Sequence, residues 1–272
     1  MAALASILKT VPFAMRGRTL ADRWTVFLLI AFETTSFANT RRRQRIKRLL
    51  QGQADQDGLI AVRFNRDGHD LSFYLRASED GDLSVASEFI RAGYRYPPAA
   101  PEQIIDAGAN IGLFSVMASK RFPEVEIESF EANPGNMPIL QRNLAANRSN
   151  ARPRNVAVWS GPGELTFQAH MAYSGQVVES QDGAEQAVRV PAELPAVGQN
   201  CWLKIDVEGA EYEVLPALLA AGRYPRWISA ELHYFDEKGA PLIEQLQAHG
   251  YRVSGVPDDP AAFLAEVFAE RA

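Results

Sequence analysis

The segment Asp106-Ala-Gly-Ala-Asn-Ile-Gly112 directly follows the apolar run at 103–105 and directly precedes a helical pattern. Glycine lets a backbone turn sharply and lets a ligand approach closely, because a Cβ atom would obstruct both. The helix that follows offers free backbone N–H groups and the positive end of its dipole to a carboxylate or phosphate. The segment therefore predicts a strand, a glycine-rich turn and a helix that together bind a nucleotide-like ligand.

The spacing of the glycines narrows the class of ligand. A dinucleotide fingerprint has glycine at its first, third and sixth positions. Counting from Gly108, the third position is Asn110 and the fifth is Gly112. A nicotinamide-dependent oxidoreductase is therefore only an alternative function. Two glycines around an asparagine, with Asp106 ahead of them, suit a ligand whose amino-acid end needs hydrogen-bond donors and acceptors.

Short apolar strands alternate with helical stretches after residue 102, as a parallel sheet with crossover helices requires. The sequence predicts an α/β fold with a doubly wound, mostly parallel sheet, preceded by a helical arm and a β-hairpin. Residues 168–198 have the least regular pattern and are expected to form a mobile loop near the substrate. Six strands are predicted, at Gln103–Ala107, Glu126–Glu131, Arg154–Trp159, Cys201–Val207, Trp227–His233 and Tyr251–Gly255.

The predicted domains are a basic amphipathic helical arm at 1–57, a hairpin and helix at 58–101, and a catalytic domain at 102–272. In the arm, Trp24, Phe27, Leu28 and Ala31 share one face of a predicted helix, and a basic block follows at 41–48. Either the arm packs on the rest of the chain, or it docks on an anionic membrane surface or an acidic acceptor.

Charge is distributed unevenly along the chain. Residues 1–50 carry ten Lys or Arg side chains and two acidic ones, a net charge of +8, so with −5 overall the remainder carries −13. Such an acidic remainder argues against nucleic-acid binding.

With Cys201 as its one cysteine the chain forms no internal disulfide, which fits a cytoplasmic location. The longest charge-free apolar stretch, 24–32, is too short to span a membrane.

Acidic residues and one histidine lie at the predicted strand ends, where an open α/β sheet binds its ligands. Glu131 lies 19 residues after Gly112, the position from which a carboxylate binds the ribose hydroxyls of an adenosine group. Asp206 follows the fourth strand. Glu231 and His233 share one face of the fifth, because side chains alternate along a strand.

The chemistry of the last three residues leaves two alternatives open. His233 is a candidate general base toward an acceptor hydroxyl, with Asp206 and Glu231 beside it. Alternatively, Asp206, Glu231 and His233 are candidate ligands of Mg²⁺ or Mn²⁺, a divalent cation that would acidify the hydroxyl.

The sequence resembles the FkbM-type methyltransferases over roughly 58–255. The resemblance is carried by Phe73-Tyr-Leu-Arg76, Asp106 to Gly112, Phe130-Glu-Ala-Asn-Pro134, Asn155-Val-Ala-Val158, Lys204-Ile-Asp-Val-Glu-Gly-Ala-Glu211 and Glu231-Leu-His233. It implies a Rossmann-like class I fold and S-adenosyl-L-methionine as donor. It also implies a cofactor site built from Asp106, Gly108, Asn110, Gly112, Glu131, Asn155 and Ala157.

The resemblance further implies O-methylation of a hydroxyl on a sugar, glycan or natural product. A catalytically silent scaffold that keeps the fold and the cofactor is the alternative from a different functional class. The Leu-Asp pair expected upstream of the fourth strand is missing before Asn200, and the basic arm lies outside the resemblance, so neither segment identifies the acceptor.

Overall fold

The computed structural model describes residues 11–35, 40–92, 94–171, 174–178 and 187–271. The chain forms two compact units. The first contains the described residues up to 94 together with 141–148 and 171, and the second contains the others. Within the described residues, no helix combines the length and the apolar character that crossing a membrane requires.

The first unit is built from helices around a hairpin. Its elements are α1 (Leu20–Glu33), α2 (Thr40–Gln51), β1 (Leu59–Arg66), β2 (His69–Arg76) and α3 (Asp80–Arg91). The predicted hairpin is confirmed: β1 and β2 pair in antiparallel register from Leu59↔Arg76 to Arg66↔His69. Asp67 and Gly68 form its turn, and both have positive φ angles. A tight two-residue hairpin turn needs this left-handed conformation.

Helix α1 buries a different face from the predicted one. Of the four residues assigned to that face, Leu28 is buried, while Trp24 is half exposed and stacks on Phe27. The side chains of Val26, Leu29 and Ile30 are buried instead. The prediction was wrong because apolar residues surround most of this helix, so that the 3.6-residue period does not select one face.

The second unit is an α/β structure. Its elements in chain order are β3 (Gln103–Ala107), α4 (Leu113–Arg121), β4 (Glu126–Phe130), α5 (Met137–Ala146, which ends in the first unit), β5 (Arg152–Arg154), β6 (Ala157–Val158), β7 (Gly163–Met171), β8 (Ser174–Val178), β9 (Ala187–Glu193), β10 (Cys201–Ile205), α6 (Glu211–Ala220), β11 (Trp227–His233), α7 (Phe235–Ala248), β12 (Tyr251–Ser254) and β13 (Leu264–Arg271).

Seven strands form the main sheet, in the order β12-β13-β11-β10-β3-β4-β5. The five from β11 to β5 are parallel, and β13 is antiparallel to both of its neighbours. After β3 the chain adds β4 and β5 on one side and later β10 and β11 on the other. The strand order therefore reverses between β3 and β10, and ligands bind at such a switch point in α/β sheets. The predicted fold class, Rossmann-like and mostly parallel, is confirmed.

The segment after β4 differs from its prediction. The single strand expected at 154–159 is two short strands, because the chain leaves the main sheet at Asn155 and β6 joins a second sheet with the order β6-β9-β7-β8. The region expected to be a loop at 168–198 contains β8, β9 and the end of β7, among its described residues. Positions 172–173 and 179–186 of that prediction lie outside the described residues.

Candidate functional site

The loop after β3 fits against the loop after β10. Gly108 has a φ of 82°, and a Cβ atom there would lie 1.8 Å from the backbone oxygen of Asp206. Only glycine fits this close approach. Gly112, with a φ of 89°, is the N-terminal cap of α4. The first N–H groups of α4 therefore open toward the switch point. The two glycines give the loop its shape and set its distance from β10.

Asp106 is completely buried beneath this loop. Its Oδ2 accepts a 2.5 Å hydrogen bond from Ser115, and its Oδ1 lies 3.4 Å from Lys204 Nζ. Lys204 also donates to the backbone oxygen of Gly108 and lies 3.5 Å from Asp206 Oδ2. Burial raises the pKa of Asp106, while Lys204 and Ser115 act in the opposite direction. In this structure Asp106 therefore contacts Ser115 and Lys204, the side chains beneath the glycine loop.

Glu131 joins the glycine loop to the turn that leads into α5. Its Oε2 accepts the backbone N–H of Asn110 at 2.7 Å, and its Oε1 accepts the backbone N–H of Asn133 at 2.8 Å and the side chain of Asn136 at 3.2 Å. Burial raises the pKa of Glu131, and these three donors oppose the rise. A carboxylate has about four acceptor sites, so one remains for a ribose hydroxyl.

Asn110 provides an unsatisfied polar atom at the switch point. Its φ angle is positive. Asparagine tolerates this left-handed conformation better than most residues. Its Oδ1 is buried, and no described residue hydrogen-bonds to it. Buried polar atoms without a partner are rare and costly, so this oxygen fits a ligand's donor group. An S-adenosylmethionine molecule, with an ammonium at its methionine end, carries such a donor.

The other two predicted cofactor residues lie farther along the chain. Asn155 donates through Nδ2 to the backbone oxygens of Glu131 and Ala132, at 2.8 and 3.1 Å, and so holds the end of β4. Ala157 is buried in β6 against Val190 and Ala192. Asn155 therefore contacts the backbone around Glu131, whereas Ala157 packs within the second sheet.

Glu211 shapes the acidic loop after β10. It is fully buried, and its two oxygens accept the backbone N–H groups of Val207 and Gly209 at 2.8 and 2.9 Å. Glu208, between them, has a φ of 56°. A Cβ atom on Gly209 would lie 2.9 Å from the Tyr234 ring, so the loop packs directly on the residue that follows β11. The buried carboxylate keeps Glu208 in a strained conformation.

His233 lies at the centre of four carboxylates. Its Nδ1 is 3.3 Å from Glu211 Oε1, and its Nε2 is 3.4 Å from Glu208 Oε2 and 3.8 Å from Glu231 Oε1. Burial opposes protonation, but the hydrogen bond and charge of Glu211, with the charges of Glu208 and Asp206, raise the pKa of His233 to about 9. The imidazole is therefore charged at pH 7, which differs from the neutral ring expected from its unperturbed pKa.

Glu208 has a perturbed pKa of its own. Burial raises this pKa to about 7, a larger effect than the lowering by the adjacent His233. A carboxylate with this pKa changes charge near neutral pH, which suits a group that must accept a proton there. Glu208 and His233 thus form a contacting pair, and each of them has a raised pKa.

A cation could be held by a somewhat different set from the predicted one. Among the described residues, ligand atoms of Asp206, Glu211 and His233 lie within 4.8 Å of one another. Glu211 takes the position in this group that the sequence assigned to Glu231. Both Glu211 oxygens already accept backbone N–H groups, and one faces His233 Nδ1. This donor pattern favours a hydrogen-bonded pair of Glu211 and His233 over a metal site.

Two residues of this site were absent from the predicted set. Glu208 and Glu211 lie in the same string as Asp206, but sequence spacing does not indicate which of three acids faces the histidine. The signal that could identify Glu208 is its neighbour Gly209, because glycine commonly follows a residue in a tight left-handed turn. Glu211 stands in the first turn of α6, where an acidic side chain also stabilises the positive end of the helix dipole, so its place in the sequence alone does not indicate a site role.

The strand order and the glycine loop define a Rossmann-like α/β protein, a class whose members bind ligands at the switch point. A family model described as the methyltransferase FkbM domain matches residues 106–253. The match covers more than half of the chain, and the chain therefore belongs to the FkbM methyltransferase family.

Two curated relatives share part of the sequence. Methyltransferase sdnD of Sordaria araneosa is 30% identical over 151 residues, which cover 41% of this chain and only 58% of that protein. The 31-O-demethyl-FK506 methyltransferase FkbM of Streptomyces tacrolimicus is 24% identical over 209 residues, 62% of this chain and 79% of that protein. Among solved structures, methyltransferase FkbM from Methylobacillus flagellatus aligns with a TM-score of 0.44 and 11% identity, covering 98% of this chain and 60% of that one.

Proposed function

We propose that this protein transfers a methyl group from S-adenosyl-L-methionine to a hydroxyl oxygen of a small-molecule acceptor, such as a sugar, a glycan or a natural product. Family membership supports methyl transfer, and the S. tacrolimicus relative is by name an enzyme that acts on an O-demethyl compound. The donor carries its methyl group on a positively charged sulfur. An oxygen nucleophile can bond to the carbon of this methyl group.

The cofactor side of the proposal rests on the glycine loop. The start of α4 would face the donor's carboxylate, and Asn110 Oδ1 would accept from its ammonium group. The fourth acceptor site of Glu131 would receive a ribose hydroxyl, while the other three hold the loop in shape. Gly108 and Gly112 would contribute through the shape of the loop backbone. Asp106, Asn155 and Ala157 would support the backbone around the donor.

The observation that carries the proposal is the contact of His233 with Glu208 on one side and buried Glu211 on the other. An alcohol is a weak nucleophile at neutral pH, and its attack gains from a nearby proton acceptor. As the new C–O bond forms and the C–S bond breaks, the hydroxyl proton passes to Glu208. His233, oriented by Glu211, stabilises the Glu208 carboxylate, and the charges of Glu211 and Asp206 keep the imidazole protonated.

The experiment is a comparison of His233→Ala with the wild-type enzyme over a pH range. Loss of the positive charge should raise the apparent pKa of the rate profile and lower the rate at pH 7 by about 10²-fold or more, at near-normal donor affinity. His249→Ala, a histidine of the same unit that bonds to the Gln245 backbone, is the matched control. Wild-type turnover by His233→Ala would contradict the proposal.

The same assay separates the proton acceptor from the cation alternative. A Mg²⁺ or Mn²⁺ ion at Asp206, Glu211 and His233 would make the wild-type rate sensitive to EDTA and restorable by added metal. We expect the rate to be insensitive to the chelator, because the Glu211 oxygens are engaged by Val207 and Gly209.

A second proposal concerns the first unit: contact with an anionic membrane surface. Two residues of the basic block, Arg43 and Lys47, form ion pairs with Asp80 within the first unit. Arg43 also packs on the Phe32 ring. Arg41, Arg42, Arg45 and Arg48 are exposed on α2. Trp24 on α1 is half exposed, and tryptophan is favoured at membrane interfaces. Exposed arginines attract anionic lipids.

A further inference from the structure

Strand β13 brings an apolar side chain next to the proposed proton-accepting pair. His233 and Leu264 are directly paired between antiparallel β11 and β13. Directly paired residues project their side chains from the same face, with Cβ atoms about 5 Å apart. Leu264 is 42% exposed, whereas the next residue, Ala265, is buried on the opposite face. An accessible leucine therefore lies beside the histidine of the site.

The residue before Leu264 extends this apolar surface. The Phe263 backbone is fixed, because its oxygen accepts the N–H of Phe235 at 2.9 Å, yet its side chain is 54% exposed. Its ring packs edge-on against Tyr234, with 5.0 Å between the ring centroids. The Tyr234 ring in turn lies against Gly209, next to Glu208. Apolar contacts thus connect the acidic loop to Phe263, the residue that directly precedes Leu264.

We propose that Tyr234, Phe263 and Leu264 form an apolar subsite that holds the carbon skeleton of the acceptor beside its reacting hydroxyl. This inference rests on the proposed function. Single exposed apolar residues are ordinary on a protein surface. Here two consecutive ones stand at the edge of the sheet where ligands of α/β proteins bind, and one of them is paired with His233, so their position indicates an interaction site.

The charges around the subsite select the class of acceptor. Glu208 and Glu231 contact His233, and Glu266 is paired directly with Glu231 on the same face of the sheet. The positive groups beside these carboxylates are the charged imidazole of His233 and Lys238, whose Nζ lies 5.8 Å from the Tyr234 ring. Carboxylates at this density repel a phosphate or carboxylate on the ligand. The acceptor is therefore a neutral alcohol with an apolar face.

The test is a binding comparison on the full-length protein loaded with S-adenosylhomocysteine. Methyl β-D-glucoside and phenyl β-D-glucoside carry the same ring hydroxyls and differ in apolar surface, and phenyl β-D-glucuronide adds a negative charge. Their affinities are measured by NMR titration for the wild type, Phe263→Ser, Leu264→Ser and Leu49→Ser. Leu49, in α2 of the other unit, is a control leucine of similar exposure, at 47%.

The wild type and Leu49→Ser should bind the phenyl glucoside at least about fivefold more tightly than the methyl glucoside, because apolar area is buried. Phe263→Ser and Leu264→Ser should lose most of this preference, and the glucuronide should bind more weakly than the phenyl glucoside.

Equal affinities in the wild type, or a preference that survives both substitutions, would overturn the subsite. Tighter binding of the glucuronide would overturn the neutral acceptor. Failure to bind S-adenosylhomocysteine would instead contradict the proposed function, so the two failures are distinguishable.

Discussion

Two residues that follow β10 and β11 have the left-handed backbone conformation. Glu208 and Tyr234 have φ angles of 56° and 54°, and neither is glycine. Such conformations cost about 1–3 kcal/mol each and persist where the surroundings enforce them, often at functional sites. The enforcing contacts are visible: Glu211 binds both backbone N–H groups around Glu208, and Tyr234 packs on Gly209.

The pH dependence of the rate should report on Glu208. Burial raises the pKa of this acid to about 7, so the carboxylate that accepts the proton predominates only above that pH. At saturating donor and acceptor, we expect the wild-type rate to rise as the pH increases from 6 to 8. Glu208→Gln should be slower and should lack this rise, whereas Glu237→Gln, an exposed glutamate of α7, should keep it. A flat wild-type profile over this range would contradict the assignment.

At the scale of elements, buried carboxylates hold the loops at the switch point. Glu131 connects the loop before α4 with the turn before α5, as Glu211 connects the ends of the loop after β10. Glu131→Ala removes three hydrogen bonds from this region. It should therefore weaken S-adenosylhomocysteine binding by about 1–3 kcal/mol in calorimetry. Glu128→Ala, on β4 but paired with Arg154, should bind nearly as the wild type does. Unchanged affinity in a folded Glu131→Ala protein would rule this role out.

The strands of the main sheet differ in how well the sequence predicted them. Strands β3 and β11 were predicted to the residue, and β4 and β10 to within two residues, because their apolar residues stand between clear turn signals. Strand β13 was missed because four of its eight residues are Ala or Glu, which are depleted in strands.

The candidate site was predictable to the extent that it lies at strand ends. Parallel strand topology brings Asp106, Glu131, Asp206 and His233 to one edge, so their positions followed from the order of the strands. The partner of His233 did not follow, because Glu208 and Glu211 are selected by backbone angles within a loop. Phe263 and Leu264 could not be found, because their nearness to His233 depends on the antiparallel pairing of a strand that the sequence did not reveal.

At the scale of the whole molecule, positive charge is concentrated in the first 50 residues, but this segment is not a separable arm. Helices α1 and α2 contribute Leu28, Leu29, Phe32 and Leu50 to the interior of the first unit, each at most 1% exposed. Deleting residues 1–50 would therefore uncover the apolar residues of β1, β2 and α3. A test of membrane contact must change surface charge and leave these helices in place.

The membrane proposal is tested by replacing the four exposed arginines of α2 with glutamine. These are Arg41, Arg42, Arg45 and Arg48. Each basic residue near an anionic surface contributes about 1 kcal/mol, so partition onto phosphatidylserine-containing vesicles at low salt should fall by at least about tenfold. The attraction is screened, so wild-type binding should also weaken as salt increases. The matched control makes the same charge change at Arg121, Arg148, Arg189 and Arg252, which are exposed outside α2. Equal vesicle binding by the two quadruple variants would remove the α2 surface as the docking site, since both variants lose four positive charges.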